Sequence, residues 1–192
     1  MTQPKDSVVT AERFAAGLTY REYTEGIQRN RAKFEYNYDE THLADDDARA
    51  FRELASRPDG PARVLALAED WCPDVFRGLP VMGRIAEAAG MELRIFPRDQ
   101  NLDIMNEFLN QGEHQSIPVF VFYTRDQRYL AHWIERPALA NEQMHLVMAI
   151  FQGKTAEEAL PEYERFQQGE VWANWREETV REIRALLASV CR

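Results

Sequence analysis

The chain of 192 residues is 45% hydrophobic and 29% charged, ordinary values for a folded soluble protein, so neither a disordered nor a membrane-embedded class is indicated. Its 23 basic and 32 acidic residues leave a net charge of -9, which repels phosphate backbones and anionic lipid and argues against nucleic acid and membrane partners. Two cysteines, Cys72 and Cys191, are too few for a disulfide framework, and with no apolar run of signal or membrane-spanning length the expected location is cytoplasmic, where both stay reduced.

Residues 1–9 read as a loose tail. Thr10 is placed to cap a short helix over residues 11–16 that Gly17 ends. Thr19 and Glu22 form a capping-box signature, and one helix is expected from there through Tyr23, Ile27, Ala32 and Phe34 to about Tyr36. Phe34, Tyr36 and Tyr38 form an aromatic cluster expected to pack against the main domain. Asp45, Asp46 and Asp47 open a third helix over residues 46–56, with Phe51 and Leu54 inward; capping and the helix dipole account for the three carboxylates without a metal. Arg57-Pro58-Asp59-Gly60-Pro61 is a turn that ends this helical part.

Strand and helix then alternate. A strand over residues 64–68 leads into a helix over 75–89, apolar at Phe76, Leu79, Met82, Ile85, Ala86 and Ala89 and stopped by Gly90. Pro80 inside it removes one backbone bond and is expected to kink it. A strand over 93–96, a helix over 102–109, a loop over 111–116 and a buried strand over 117–123 follow. Residues 124–127 turn the chain back into a strand over 128–134, closed by Glu135-Arg136-Pro137. A helix over 138–151 is expected to bury Ala140, Met144, Val147, Met148 and Phe151. Two further helices cover about 155–166 and 171–190, the last with an apolar stripe from Trp172 to Val190 that docks on its own domain or forms a homodimer contact. The chain is expected to be a single α/β domain, with a core over 61–153, an N-terminal helical extension over 10–57 and C-terminal helices over 155–190.

The residue singled out by this order is Cys72, in Glu69-Asp70-Trp71-Cys72-Pro73-Asp74-Val75, where the first strand passes into a helix. Unpaired N–H groups and the positive end of the dipole favour an anion there, and Pro73 suits the first helical position. The thiol pKa is therefore expected to fall below its free value of about 8.5, with Asp74, Glu69 and Asp70 opposing. Arg98, Arg136 and His114 are candidates for charge near it. His42, His132 and His145 lack ligand spacing, and neither a metal nor another cofactor is expected.

Trp71-Cys72-Pro73 at the first strand-to-helix junction, Pro80 eight residues after the cysteine and Ile117-Pro118 opening the third strand together resemble the thioredoxin family over about residues 61–153. The resemblance implies a three-layer fold around a mixed sheet, and it makes Pro118 the cis-proline beside the active cysteine. The longer motif, with the helical N-terminal extension and Arg136-Pro137, is similar to a group of bacterial thioredoxin-like proteins. Three departures matter. The family's second cysteine is Val75, its buried aspartate in the first strand is Ala66, and that aspartate's lysine partner is Ile95, so the dithiol cycle is excluded. Monothiol glutaredoxins carry Thr-Val-Pro and a Gly-Gly pair where this chain has Ser116-Ile117-Pro118 and Glu135-Arg136-Pro137, which leaves glutathione or an iron-sulfur cluster unsupported.

The leading expectation is monothiol exchange by Cys72 with a protein or small-molecule disulfide, supported by Trp71, Pro73, Asp74, Ile117 and Pro118 and resolved by an external thiol. A binding or scaffold module and a thiol redox sensor are the alternatives. Cys191 is expected to be a frayed terminal thiol, with resolution of the Cys72 mixed disulfide as its alternative role.

Overall fold

A computed structural model describes residues 7–191. Four strands, β1 (Arg63–Ala68), β2 (Glu92–Pro97), β3 (Val119–Tyr123) and β4 (Tyr129–Ile134), form one mixed sheet in the order β2-β1-β3-β4. β1 runs parallel to β2 and antiparallel to β3, and β3 pairs antiparallel with β4. β1 and β3 are apolar along almost their whole length because both faces of the sheet are covered. On one face, Phe14 from α1 (Ala11–Ala15) packs edge-on to Tyr123, and Phe108 packs on Tyr129 and His132. On the other lies α5 (Pro73–Ala89), which carries α3 (Arg31–Asp39), α4 (Asp45–Ala55) and α10 (Glu170–Val190). Gly78 lets α5 cross the sheet closely, since a Cβ there would lie 3.3 Å from Pro118 Cγ. The α/β class and the layers around a mixed sheet agree with expectation. No helix among the described residues is long and apolar enough to cross a membrane.

Several local expectations are corrected. Of the expected tail, residues 1–6 lie outside the described residues, but residues 7–9 are pinned: Ser7 Oγ and Val8 N donate to Glu107, and Val9 is buried. The single helix expected from Thr19 is two, α2 (Tyr20–Gly26) and α3, broken over residues 27–30. The break is held from outside the helix. Asp70 Oδ2 accepts the N–H groups of Gln28 and Arg29 at 3.0 and 2.9 Å, and Asn30, in the left-handed region, donates its side-chain amide to the Asp70 carbonyl. Leu18 also pairs with Ile95 at the edge of β2, joining this extension to the sheet.

The helix expected over 102–109 is confined to α6 (Leu102–Met105), with Leu102 exposed and Ile104 buried in its place. β3 starts at Val119, not Ile117, because Pro118 has no N–H to give a ladder. The helix expected over 138–151 breaks at Gln143 into α7 (Ala138–Glu142) and α8 (Met144–Phe151), where the Gln143 side chain accepts from Trp175 Nε1. α8 buries Ile150, while Met148 and Phe151 face outward. α9 (Ala156–Phe166) precedes α10, whose Trp172, Trp175, Val180, Ile183 and Leu187 are buried against this same chain; Leu186 is partly buried and Val190 exposed.

Candidate functional site

β1 delivers the chain into the site. Past Ala68, Glu69 accepts the Asp99 N–H at 2.8 Å and Asp70 staples the helix break, so the residues before Cys72 are tied to two other parts of the molecule. Trp71 is 42% exposed, with the Arg98 guanidinium 5.2 Å above its ring; Arg98 is itself braced by Asp99 and the Gln115 carbonyl. Cys72 is the cap residue of the 17-residue α5, Pro73 takes the first helical position, and the Val75 and Phe76 N–H groups both bond to the Cys72 carbonyl. The sulfur makes no capping hydrogen bond; the thiol donates to the Ile117 carbonyl across 3.7 Å. The Ile117–Pro118 peptide is cis, and the Pro118 carbonyl accepts the Glu135 N–H at 2.7 Å, which fixes the end of β4 beside the thiol.

Cys72 is only 9% exposed. Burial pushes its thiol up; the nearby Val75 amide favours the thiolate, Asp74 opposes it, and the Asp74 amide and Arg136 favour it less strongly. The net direction is upward, which overturns the expected lowering: removal from water outweighs the helix terminus. Below the site, Ala66 and Ile95 are register partners and both fully buried, so no ionisable pair lies at those positions. Val75, where a second sulfur would be needed, is also fully buried.

Asp74 is the hub of the site's charges. Its Oδ1 lies 2.8 Å from Arg77 Nη1 and its Oδ2 2.9 Å from Arg136 Nη2. Arg136 also pairs with Glu135 and donates to Met144 Sδ. Arg77 is 1% exposed and packs against a tryptophan pair, 5.1 Å from the Trp172 ring and 5.4 Å from the Trp175 ring, whose centroids are themselves 5.5 Å apart. Tyr163 of α9 faces the same group: burial raises its pKa, and the charges of Asp74 and Cys72 raise it while Arg77 lowers it. Sequence reading missed Arg77 and Tyr163. The available signal for Arg77 was its position three residues after Asp74, the spacing at which helical side chains meet.

Of the predicted site residues, the structure brings together Cys72, Pro73, Asp74, Ile117, Pro118 and Arg136, with Trp71 and Arg98 stacked at the rim. His114 is exposed in the 111–116 loop and contributes backbone bonds to Asn110. Cys191 is not frayed. It is buried beside Arg57, Pro58, Arg128 and Leu130, and Arg57 donates to its carbonyl. Arg57 and Pro58 precede β1, the register sets Arg128 and Leu130 at that same end of the sheet, and Cys72 follows β1, so the two sulfurs lie at opposite ends of a six-residue strand, about 20 Å long at about 3.3 Å per residue. Among the described residues no group of three or more His, Cys, Asp and Glu is placed to hold a metal.

Comparison with known proteins agrees with this architecture. A family model described as Thioredoxin matches residues 17–172. A Pseudomonas aeruginosa protein of unknown function, solved by crystallography, superposes with a TM-score of 0.68 at 16% identity, covering 94% of this chain and 98% of its own. An HIV epitope-scaffold crystal structure superposes with a TM-score of 0.65 at 18% identity, covering 96% and 99%. No curated protein matches the chain.

Proposed function

The chain belongs to the thioredoxin family, its matched span running from Gly17 to Trp172, and from that premise we propose that it performs monothiol thiol-disulfide exchange through Cys72. The observation that carries the reading is the placing of this one sulfur at the start of α5, against the Ile117 carbonyl, with Arg136 held beside it by Asp74. The Cys72 thiolate attacks one sulfur of a disulfide; that S–S bond breaks as the new one forms, and the departing thiolate takes a proton from water. A second thiol from outside then attacks the mixed disulfide and frees Cys72. The resolving thiol is external because Val75 carries no sulfur and Cys191 lies at the far end of β1.

The partner is a protein or small-molecule disulfide. Pro73 and Pro118 shape the site, Trp71 offers an exposed apolar wall beside the thiol, and Asp74 with Arg136 sets the local charge. Because burial raises the Cys72 pKa, exchange speeds up toward alkaline pH, the thiolate growing about tenfold per pH unit below the pKa. The test is mass spectrometry of the chain after reaction with a peptide disulfide: one adduct on Cys72, removed by added thiol, supports exchange. That same raised pKa favours a second reading, a binding module that has lost catalysis, and absence of any Cys72 adduct at pH 9 would leave that reading standing.

A further inference from the structure

Arg77 is an expensive residue to bury. Its side chain is 1% exposed, and among the described residues its Nε and Nη2 have no hydrogen-bond partner. The two indole rings of Trp172 and Trp175 supply cation–π attraction, and their own N–H groups are directed elsewhere, to Asn37 and Gln143. The carboxylate that meets the guanidinium is Asp74, two residues past Cys72, and the other oxygen of that carboxylate holds Arg136. Both tryptophans belong to α10, so the C-terminal helix reaches the thiol through one cation and one carboxylate.

We propose that Arg77, seated against Trp172 and Trp175, is a positioning residue through which α10 sets the reactivity of Cys72 by holding and neutralising Asp74. The inference rests on the reading of Cys72 as the working thiol, yet it concerns the ionisation of the sulfur, which is measured without any exchange partner. The ionisable groups that face Cys72 are Asp74 and Arg136, with Tyr23 from α2 and Tyr163 from α9, while the carboxylates of Glu69 and Asp70 on its own loop are turned to the Asp99 amide and to the Gln28 and Arg29 amides. Among these, Asp74 is the one in contact with Arg77. With Arg77 in place its negative charge is shared between two guanidiniums; with Arg77 gone, one partner remains and the sulfur meets more of the charge.

The experiment is a double-mutant cycle read as the pH profile of Cys72 alkylation by iodoacetamide, on the full chain with Cys191→Ser to silence the second thiol. Arg77→Met is expected to slow alkylation about three- to tenfold at pH 7 and to displace the profile upward, an opposite charge near a thiol being worth about half to one pKa unit here. Arg77→Lys, which keeps the cation, is expected to recover most of the rate. In an Asp74→Asn background Arg77→Met is expected to slow alkylation clearly less, because the carboxylate it positions is gone and only the direct field of the guanidinium remains to be lost. Equal slowing in both backgrounds, or no slowing in either, overturns the proposal. If Arg77→Met does not fold, Trp175→Leu asks the same question with Asp74 intact and in the Asp74→Asn background, with slowing expected only where Asp74 is present and equal behaviour in both overturning it. A cycle that behaves as expected in a chain that forms no mixed disulfide refutes the exchange reading alone.

Discussion

Replacing Asp74 with asparagine is expected to make Cys72 more reactive at neutral pH. The side chain is 14% exposed, so water screens it weakly. At an effective dielectric of about 20 a unit charge about 4 Å from another is worth about 4 kcal/mol, and less as the separation grows. The two arginines at 2.8 and 2.9 Å already offset part of that charge, and they stay behind after the substitution, so the site still gains one net positive unit. Discounting for the partial exchange of Arg136 toward Glu135 and solvent leaves a fall of about one pKa unit, or about tenfold in thiolate. Iodoacetamide alkylation followed by mass spectrometry from pH 6 to about 10 reads it, since a change in ionisation moves the midpoint while a change in access alters only the plateau. Breaking a buried pair costs about 3 kcal/mol or more of stability, so the comparison belongs well below the unfolding transition. An unchanged or higher midpoint would refute the assignment of Asp74 as the opposing charge.

Stability is expected to fall as pH rises. Cys72 and Cys191 bind their protons more tightly folded than unfolded, so the native state holds more protons above the unfolded thiol pKa, and stability is lost from about pH 8.5 up through the folded values. Urea titrations at pH 7, 8.5 and 10 read this, and Cys72→Ser/Cys191→Ser should flatten the first part of the decline; Tyr38, raised to about 12, continues it. Cys191→Ser alone is expected to leave the lifetime of a Cys72 mixed disulfide unchanged, as judged by mass spectrometry over time; a longer lifetime would reinstate it as a resolving thiol. Asp70→Ala removes the carboxylate that holds the Gln28 and Arg29 amides, and a loss of about 1–2 kcal/mol is expected in urea denaturation, small because the bonds are exposed.

The parts of the fold written in local chemistry were legible. Thr10 and Thr19 cap their helices as side-chain acceptors, Gly90 stops α5 in the left-handed region, and the run ending at Tyr123 is a buried strand. What failed depends on partners distant in sequence. The break between α2 and α3 is held by Asp70, some forty residues on, and the break at Gln143 by Trp175. Met148 and Phe151 fit a helical stripe, yet Ile150 is the residue turned inward, because an almost wholly apolar helix offers periodicity no preferred face. At the site, position was legible and energetics were not. Pro73 and the helix start located Cys72, whereas the depth of its burial, set by the surrounding layers, decides the sign of its pKa shift. Asp74 read as a simple opponent of the thiolate; its two arginines come from the next turn of α5 and from the end of β4.

The most direct measurement is reaction of the full chain, at pH 8.5, with a peptide disulfide, followed by mass spectrometry and peptide mapping, with Cys72→Ser in parallel. One peptide adduct per chain is expected, mapped to Cys72, absent from Cys72→Ser and released in proportion to added external thiol. An adduct confined to Cys191, or no adduct on a folded chain, would contradict monothiol exchange at Cys72.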